Sequence, residues 1–330
     1  MTLQISIIGL NQIGASIGLA LGSHKDLVRR VGSDGDPAAM RRAEKLGAID
    51  AISYNFSAAA RQADLVVLDV AVDDLEETLK AIGQDLKEGV VVIDTSPVKI
   101  AAAEWAKKIL PEGQSFVAWT PAINPIYLRE PNVGLDAVHA DLFQNSLIYI
   151  TAPLGIRAEA LKLASDLVSL VGATPMFADP YEVDGLIAAN HHLPGLAAAG
   201  LMNTLLDQHG WREGKRLAGK TLAEATAPIL HLDEREALGQ SILLNKDNVL
   251  RLLDNYIATL LSLRDLIASQ NSKDLTSQLK HAIEGQQGWL KERKEAPWLS
   301  SGKSSPVDVP SAGEMWGRLI GLGGGKKKKR

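Results

Sequence analysis

The feature that most constrains this chain is a short aliphatic run at residues 5–8 that stops at Gly9-Leu10-Asn11-Gln12-Ile13-Gly14. Such a run ending on glycine reads as a buried strand entering a tight turn, and the turn opens a helix. A dinucleotide-binding turn needs glycine where the chain reverses, glycine where the backbone meets the pyrophosphate, and a small residue where helix packs on strand. Gly9 fills the first position and Gly14 the third, while Asn11 stands at the second. Asparagine tolerates positive φ better than most residues, so the turn is expected to survive with a side chain that crowds the pyrophosphate. The helix then aims its first N–H groups at the phosphates, which makes Gln12 and Ile13 candidate contacts alongside Gly9, Asn11 and Gly14. The competing reading is a structural strand-to-helix turn without a ligand.

The first half of the chain supplies the context that such a turn requires. Short runs rich in β-branched residues recur at 28–32, 65–70, 90–93, 116–119 and 147–150, and most are separated by alanine-rich stretches with helical spacing. Strands alternating with helices imply a parallel sheet covered on both faces. A helix over 158–171 and a strand over 174–177 complete this unit. The expected fold class is therefore α/β, an N-terminal Rossmann dinucleotide-binding domain over residues 1–178.

The pattern changes at Asp179-Pro180, and only helical signals follow to about Glu295. Residues 186–206 are apolar nearly all round, which predicts a helix buried on every side. Residues 245–267 place Val249, Leu252, Leu253, Tyr256, Leu260, Leu263 and Ile267 at helical spacing, which predicts a long helix with a wide apolar stripe. This defines an all-α C-terminal dimerisation and substrate domain over 179–297, with a homodimer through these helices set against packing within the domain. Residues 298–330 lose periodicity. They read as a linker and a basic tail that is either disordered or able to touch an anionic surface.

Composition narrows the function classes. There is no cysteine, hence no disulfide, no thiolate nucleophile and no cysteine-held metal, and no metal site is expected. The last five residues, Lys326 to Arg330, are all basic, so a formal net charge of −4 leaves the rest of the chain at −9. An acidic body argues against nucleic acid as partner. No signal pattern and no membrane-length apolar run is seen, so a cytoplasmic protein acting on a small molecule is expected.

The second strand ends at Ser33-Asp34-Gly35-Asp36-Pro37. An acidic residue there bonds the adenosine ribose hydroxyls and repels a 2′-phosphate, and no arginine follows directly. Asp34 is the candidate, and NAD is preferred to NADP. Asp36 reads equally as a helix N-cap before Pro37. Val70 and Asp94, at the ends of the next two strands, complete the cofactor set.

With these residues in view, the chain resembles the prephenate/arogenate dehydrogenase family of tyrosine biosynthesis, from about Leu3 to Glu295. The resemblance lies in the opening turn with Ser16, in Leu46-Gly47-Ala48-Ile49-Asp50, and in Asp94-Thr95-Ser96-Pro97-Val98-Lys99. It continues in Asp141-Leu142-Phe143, Tyr149-Ile150-Thr151, Asp179-Pro180, Glu182, Asp184, His192-Leu193-Pro194 and Asn245-Lys246-Asp247-Asn248-Val249. It implies an oxidative decarboxylation. A ring carbon bearing a hydroxyl gives hydride to the nicotinamide, and the ring carboxylate leaves as carbon dioxide while the ring aromatises. That chemistry needs a group near the hydroxyl, a cationic grip on carboxylate and a dry cleft.

The chain departs from the family at the chemistry itself. The family's His-Pro pair is Thr120-Pro121 here, and threonine donates a hydrogen bond but is no base near neutral pH. Pro97 takes the family's serine position, with Ser96 beside it. The histidine after Leu-Pro is Gly195, and the arginine that grips carboxylate falls near Ile229, with Arg235 a few residues on. His192 matches a family histidine. Thr120, His192, Lys99 and Ser96 are thus the candidate catalytic residues, with His191, Arg129 and Asn124 as further polar lining. Each has a plainer alternative: Thr120 as an ordinary strand-end residue, His192 as a satisfied histidine at a helix start, Lys99 as a solvated helix-terminus lysine. Three functional readings stay open: a working dehydrogenase of this type, a dehydrogenase of the same architecture on another small substrate, and a non-catalytic NAD-binding regulator.

Overall fold

The computed structural model describes residues 2–231 and 237–296. Arg235 and the expected linker and tail from Trp298 onward lie outside the described residues. Strands and helices alternate first: β1 (Leu3–Ile8), α1 (Gln12–Leu21), β2 (Val28–Ser33), α2 (Pro37–Leu46), β3 (Ala51–Ile52), α3 (Phe56–Arg61), β4 (Leu65–Leu68), α4 (Val72–Gly83), β5 (Val91–Asp94), α5 (Lys99–Ile109), β6 (Ser115–Pro121), β7 (Leu147–Thr151), α6 (Ala158–Leu170) and β8 (Thr174–Phe177). Helices follow alone: α7 (Pro180–Ile187), a π-helical turn (Ala188–His192), α8 (Leu193–Leu206), α9 (Trp211–Gly214), α10 (Lys220–Thr226), α11 (Ala237–Leu244), α12 (Lys246–Ala268) and α13 (Ser272–Glu295). The chain forms two compact units, one from residues 2–183 with 292–296 and one from Asp184–Lys291.

The first unit is one eight-stranded sheet in the order β3-β2-β1-β4-β5-β6-β7-β8. The strand order reverses direction between β1 and β4, the topological switch point where ligands of such sheets bind. Central strands are apolar without alternation because both faces are covered. Ile5, Ile7 and Leu65 pack on one side with α1 and α6, and Ile8, Val66 and Leu68 on the other with α4 and α5. The expected all-parallel sheet is corrected at one pairing. β6 and β7 run antiparallel, with Thr120 opposite Tyr149. Residues 122–146 between them form only two short 3₁₀ turns, and a parallel return needs a full crossover segment, usually a helix. β7 and β8, joined by α6, are parallel again.

A buried cation braces the β1–β2 edge. The Arg30 guanidinium bonds both Asp50 oxygens and the carbonyls of Gly18 and Gly47. Burial works against the Asp50 charge, and the hydrogen bonds and positive charge of Arg30 outweigh it, holding the carboxyl below its ordinary range.

The helical unit is built differently. The segment expected as one fully buried helix over 186–206 is corrected twice. It is widened by the π-helical turn before Pro194, whose ring has no N–H to give and clashes with the carbonyl four residues back. It is also largely open, since α8 buries only Gly195 and Ala198. In α12 only Val249 is buried, while Leu250, Ile257, Leu260, Leu261 and Ile267 are exposed. The apolar stripe is present as expected, but a single chain does not cover it. Among the described residues no helix is long and apolar enough to cross a membrane.

Candidate active site

The glycine turn is forced by contact. Gly9 has φ +89°, and a Cβ there would sit 2.1 Å from the Asp69 carbonyl oxygen; one on Gly14 would sit 2.4 Å from the Gly9 carbonyl oxygen. Side chains at either position would push β1, β4 and α1 apart. The left-handed residue is thus Gly9, whereas Asn11 has φ −84° and needs no tolerance of positive φ. Its amide instead reaches the Asp69 carbonyl at 3.4 Å. Asn11 makes no side-chain cap on α1, and the helix has no acidic residue in its first turn. The Asp69 carboxylate takes the Gly14 N–H at 2.7 Å, so at this ten-residue helix the first two N–H groups, those of Gln12 and Ile13, are the ones left for an external anion. A backbone cradle that no Cβ can enter, beside a helix start whose N-cap side chain makes no cap, fits the pyrophosphate of a dinucleotide.

Asp34 ends β2 beside this turn. Its carboxylate accepts the Leu10 N–H at 2.7 Å and the Asp36 N–H at 2.8 Å, which fixes it half-buried at the lip of the cradle. Asp36 caps α2 by accepting from the Ala38 N–H, with Pro37 at the first helical position. Val70 is half-buried just past β4, and Asp94 is fully buried at the end of β5.

Asp94 organises the next loop, accepting the Ser96 hydroxyl at 2.8 Å and its N–H at 3.1 Å. Lys99 opens α5, and it is not a solvated terminal lysine, being 1% exposed. Its ammonium donates to the Ser96 carbonyl and, at 2.6 Å, to the carbonyl of Trp119. Lys99 thereby ties the loop after β5 to the residue preceding Thr120. The Thr120 hydroxyl is itself buried and has no hydrogen-bond partner among the described residues. Asn124 is buried, its amide giving to the Asp141 carbonyl.

The helical unit holds a second such atom. His192 lies in the π-helical turn, inside a continuous helix and not at a helix start, with no exposed surface. Its Nε2 is 3.1 Å from the Ser241 hydroxyl, which gives its proton to the Leu238 carbonyl at 2.9 Å. With that proton committed, Ser241 accepts from Nε2–H, so the neutral ring keeps its lone pair on Nδ1. Nδ1 is buried and has no partner among the described residues. Burial, and then the neighbouring His191, push the His192 pKa down to about 4, so the ring is neutral at pH 7. Among the described residues, no group of three or more His, Asp or Glu is placed to hold a metal ion.

Sequence reasoning missed Asp69, Thr95 and Ser241. Asp69 accepts the Gly14 N–H at 2.7 Å and the Thr95 hydroxyl at 2.8 Å. The readable signal was an acidic residue ending the wholly apolar run Leu65–Leu68. Ser241 left no such signal, because its partner is 49 residues away.

Fold and cradle together define a nucleotide-binding α/β protein with an appended helical unit. Residues 17–176 match the model of the prephenate dehydrogenase nucleotide-binding domain, and residues 179–281 that of the prephenate dehydrogenase dimerization domain. The chain belongs to the prephenate dehydrogenase family. It is 29% identical over 290 residues to a cyclohexadienyl dehydrogenase of Zymomonas mobilis, covering 87% of this chain and 95% of that protein. It is 24% identical over 309 residues to a prephenate dehydrogenase of Bacillus subtilis, covering 93% of this chain and 81% of that one. The fold is that of the Aquifex aeolicus prephenate dehydrogenase solved with hydroxyphenyl propionate and NAD+, with TM-score 0.75, 22% identity, and 87% and 98% of the two chains covered.

Proposed function

We propose that this chain is an NAD-dependent dehydrogenase of the prephenate/arogenate type, which oxidises a cyclohexadienyl acid with loss of carbon dioxide. The observation that carries this is the Gly9–Gly14 cradle at the start of α1, in a chain that matches both domains of the family. Gly9, Asn11, Gln12, Ile13 and Gly14 hold the pyrophosphate. Asp34, whose oxygens keep lone pairs beyond those given to Leu10 and Asp36, takes the ribose hydroxyls and disfavours NADP. Val70 lies along the dinucleotide. Bound NAD supplies the hydride acceptor.

The remaining tasks fall to the chain's own residues. Thr120 donates its unpartnered hydroxyl to the substrate, taking over the place of the histidine expected from the family pattern. His192 of the helical unit offers Nδ1 as a hydrogen-bond acceptor for a hydroxyl. A ring with pKa about 4 is a poor proton store but a sound acceptor, and it polarises the O–H bond without carrying a charge into a dry site. Asp94, Ser96 and Lys99 are positioning residues that lock the loop after β5 against the end of β6. The helical unit pairs with that of a second copy, as its dimerization-domain match and its uncovered apolar helices support.

The test is NADH formation with prephenate and with arogenate by the unaltered protein, Thr120→Val and Thr120→His. Turnover by the unaltered protein on one of the two substrates is expected, with kcat about 10- to 100-fold lower in Thr120→Val. Binding of NAD with no turnover by the unaltered protein or by Thr120→His would overturn the assignment.

A further inference from the structure

Within the cradle, one partner of α1 is already an anion from the chain itself. Gly14 lies in the first turn of α1, so its N–H has no partner inside the helix, and the Asp69 carboxylate occupies it at 2.7 Å. The backbone of the same residue closes against Gly9 and receives the Asn11 amide. Asp69 is thus built into the turn that receives the pyrophosphate.

The charges that act on it are those of two other carboxylates. Asp34 at the end of β2 and Asp94 at the end of β5 both act on it. The first turn of α1 offers no charged side chain, and that of α4 carries Asp73 and Asp74. Lys99 of α5 donates to the Ser96 and Trp119 carbonyls. Part of Asp69 reaches the surface, but its carboxyl is densely enclosed. Burial first, then Asp94 and Asp34, outweigh the bonds from Gly14 and Thr95 and push it up to about 6.

The hydrogen bonds around Asp69 can be satisfied in both of its protonation states. Thr95 Oγ1 lies 2.8 Å from Asp69 Oδ1 and 3.1 Å from the Leu68 carbonyl. With Asp69 ionised, the Thr95 proton points to Oδ1. With Asp69 protonated, Oδ1–H donates to Thr95 Oγ1, the Thr95 proton turns to the Leu68 carbonyl, and Oδ2 still accepts from Gly14. Moving the proton leaves no buried group without a partner, which is the cost that normally opposes such a change.

We infer that Asp69 couples dinucleotide binding to proton uptake: the carboxyl is ionised in the free turn and takes up one proton when a pyrophosphate is seated on α1. The inference rests on the reading of this turn as the NAD site. A pyrophosphate brings two more negative charges to a poorly screened place, and protonating Asp69 removes the repulsion that lies inside the cradle. Linkage then sets the sign. The complex binds a proton that the free protein releases above about pH 6, so affinity falls as pH rises, by at most tenfold per pH unit.

The experiment is calorimetric and fluorescence titration of the full chain with NADH between pH 6 and 8.5, in two buffers of different ionisation heat, beside Asp69→Asn. The unaltered protein is expected to take up close to one proton at pH 8 and to bind roughly twentyfold more weakly there than at pH 6.5. Asp69→Asn is expected to bind more tightly at pH 8, with a flat profile and no uptake. Binding by the unaltered protein with no proton uptake overturns this inference and leaves the NAD reading intact, and that measurement needs no variant to fold. An Asp69→Asn protein that keeps the full pH slope overturns it as well. No NADH binding by either protein at any pH overturns both.

Discussion

The two units solve the burial problem in opposite ways. In the first, the sheet is closed on both faces by its own helices, and Ile5, Ile7, Ile8 and Leu65 to Leu68 have no exposed surface. In the second, α12 and α13 together bury one residue, Val249, and leave Leu250, Ile257, Leu260, Leu261, Ile267, Leu279, Ile283 and Trp289 exposed. An apolar surface of this extent on a single chain marks a surface that is covered in use. A parallel sheet with helical crossovers completes its own core, whereas long paired helices with stripes on several faces do not. In chemistry the units are alike: each leaves a buried polar atom without a partner among the described residues, the Thr120 hydroxyl in the first and His192 Nδ1 in the second.

Three tests bear on this contrast. The largest effect is expected for charges on the open helices. Ile257→Lys with Leu261→Lys raises the dimer dissociation constant by at least about a thousandfold, as burying unpaired ammonium groups in an apolar interface must. Sedimentation then gives monomer, while NADH affinity, a property of the first unit, changes little. A double variant that remains dimeric would place the interface elsewhere. Next is the cradle. Gly14→Ala sets a Cβ into the Gly9 carbonyl, so a loss of NADH affinity of about 100-fold is expected with the oligomeric state unchanged. An unchanged affinity would separate the turn from the cofactor.

The smallest effect is a pH dependence of stability in the helical unit. His192 has a folded pKa of about 4 against 6.5 for the free ring. The unfolded chain therefore binds the proton that the folded one refuses. Stability is full above about pH 6.5, is lost as pH falls toward 4, and levels off below that. The loss is on the order of 2 kcal/mol. It is absent in His192→Gln, as denaturant melts at pH 7 and pH 4.5 would reveal. Equal losses in both proteins would mean that another group governs the acid limb.

Much of the first unit was legible because its signals are local. Gly9 turns the chain and aliphatic runs bounded by turns form strands, while of the two roles open to Asp36 before Pro37 the structure shows the helix cap. Lys99 shows where local signals stop. A lysine opening a helix looks solvated until Trp119, twenty residues on, presents a carbonyl to it. Asp69 shows the converse: its position at a strand end was visible, but its meaning depends on Gly14 and Thr95 arriving from two other elements.

The sequence by itself determined the alternation of elements, the cradle at the first turn and the change to an all-helical second half. Each follows from residue-by-residue backbone preference and from periodicity over one or two turns. Only the tertiary structure decided that β7 runs against β6, that Thr120 and His192 keep a buried polar atom without a partner among the described residues, and that Asp69 sits inside the cradle. These are facts about which distant groups share a small volume, and that depends on the path of the whole chain.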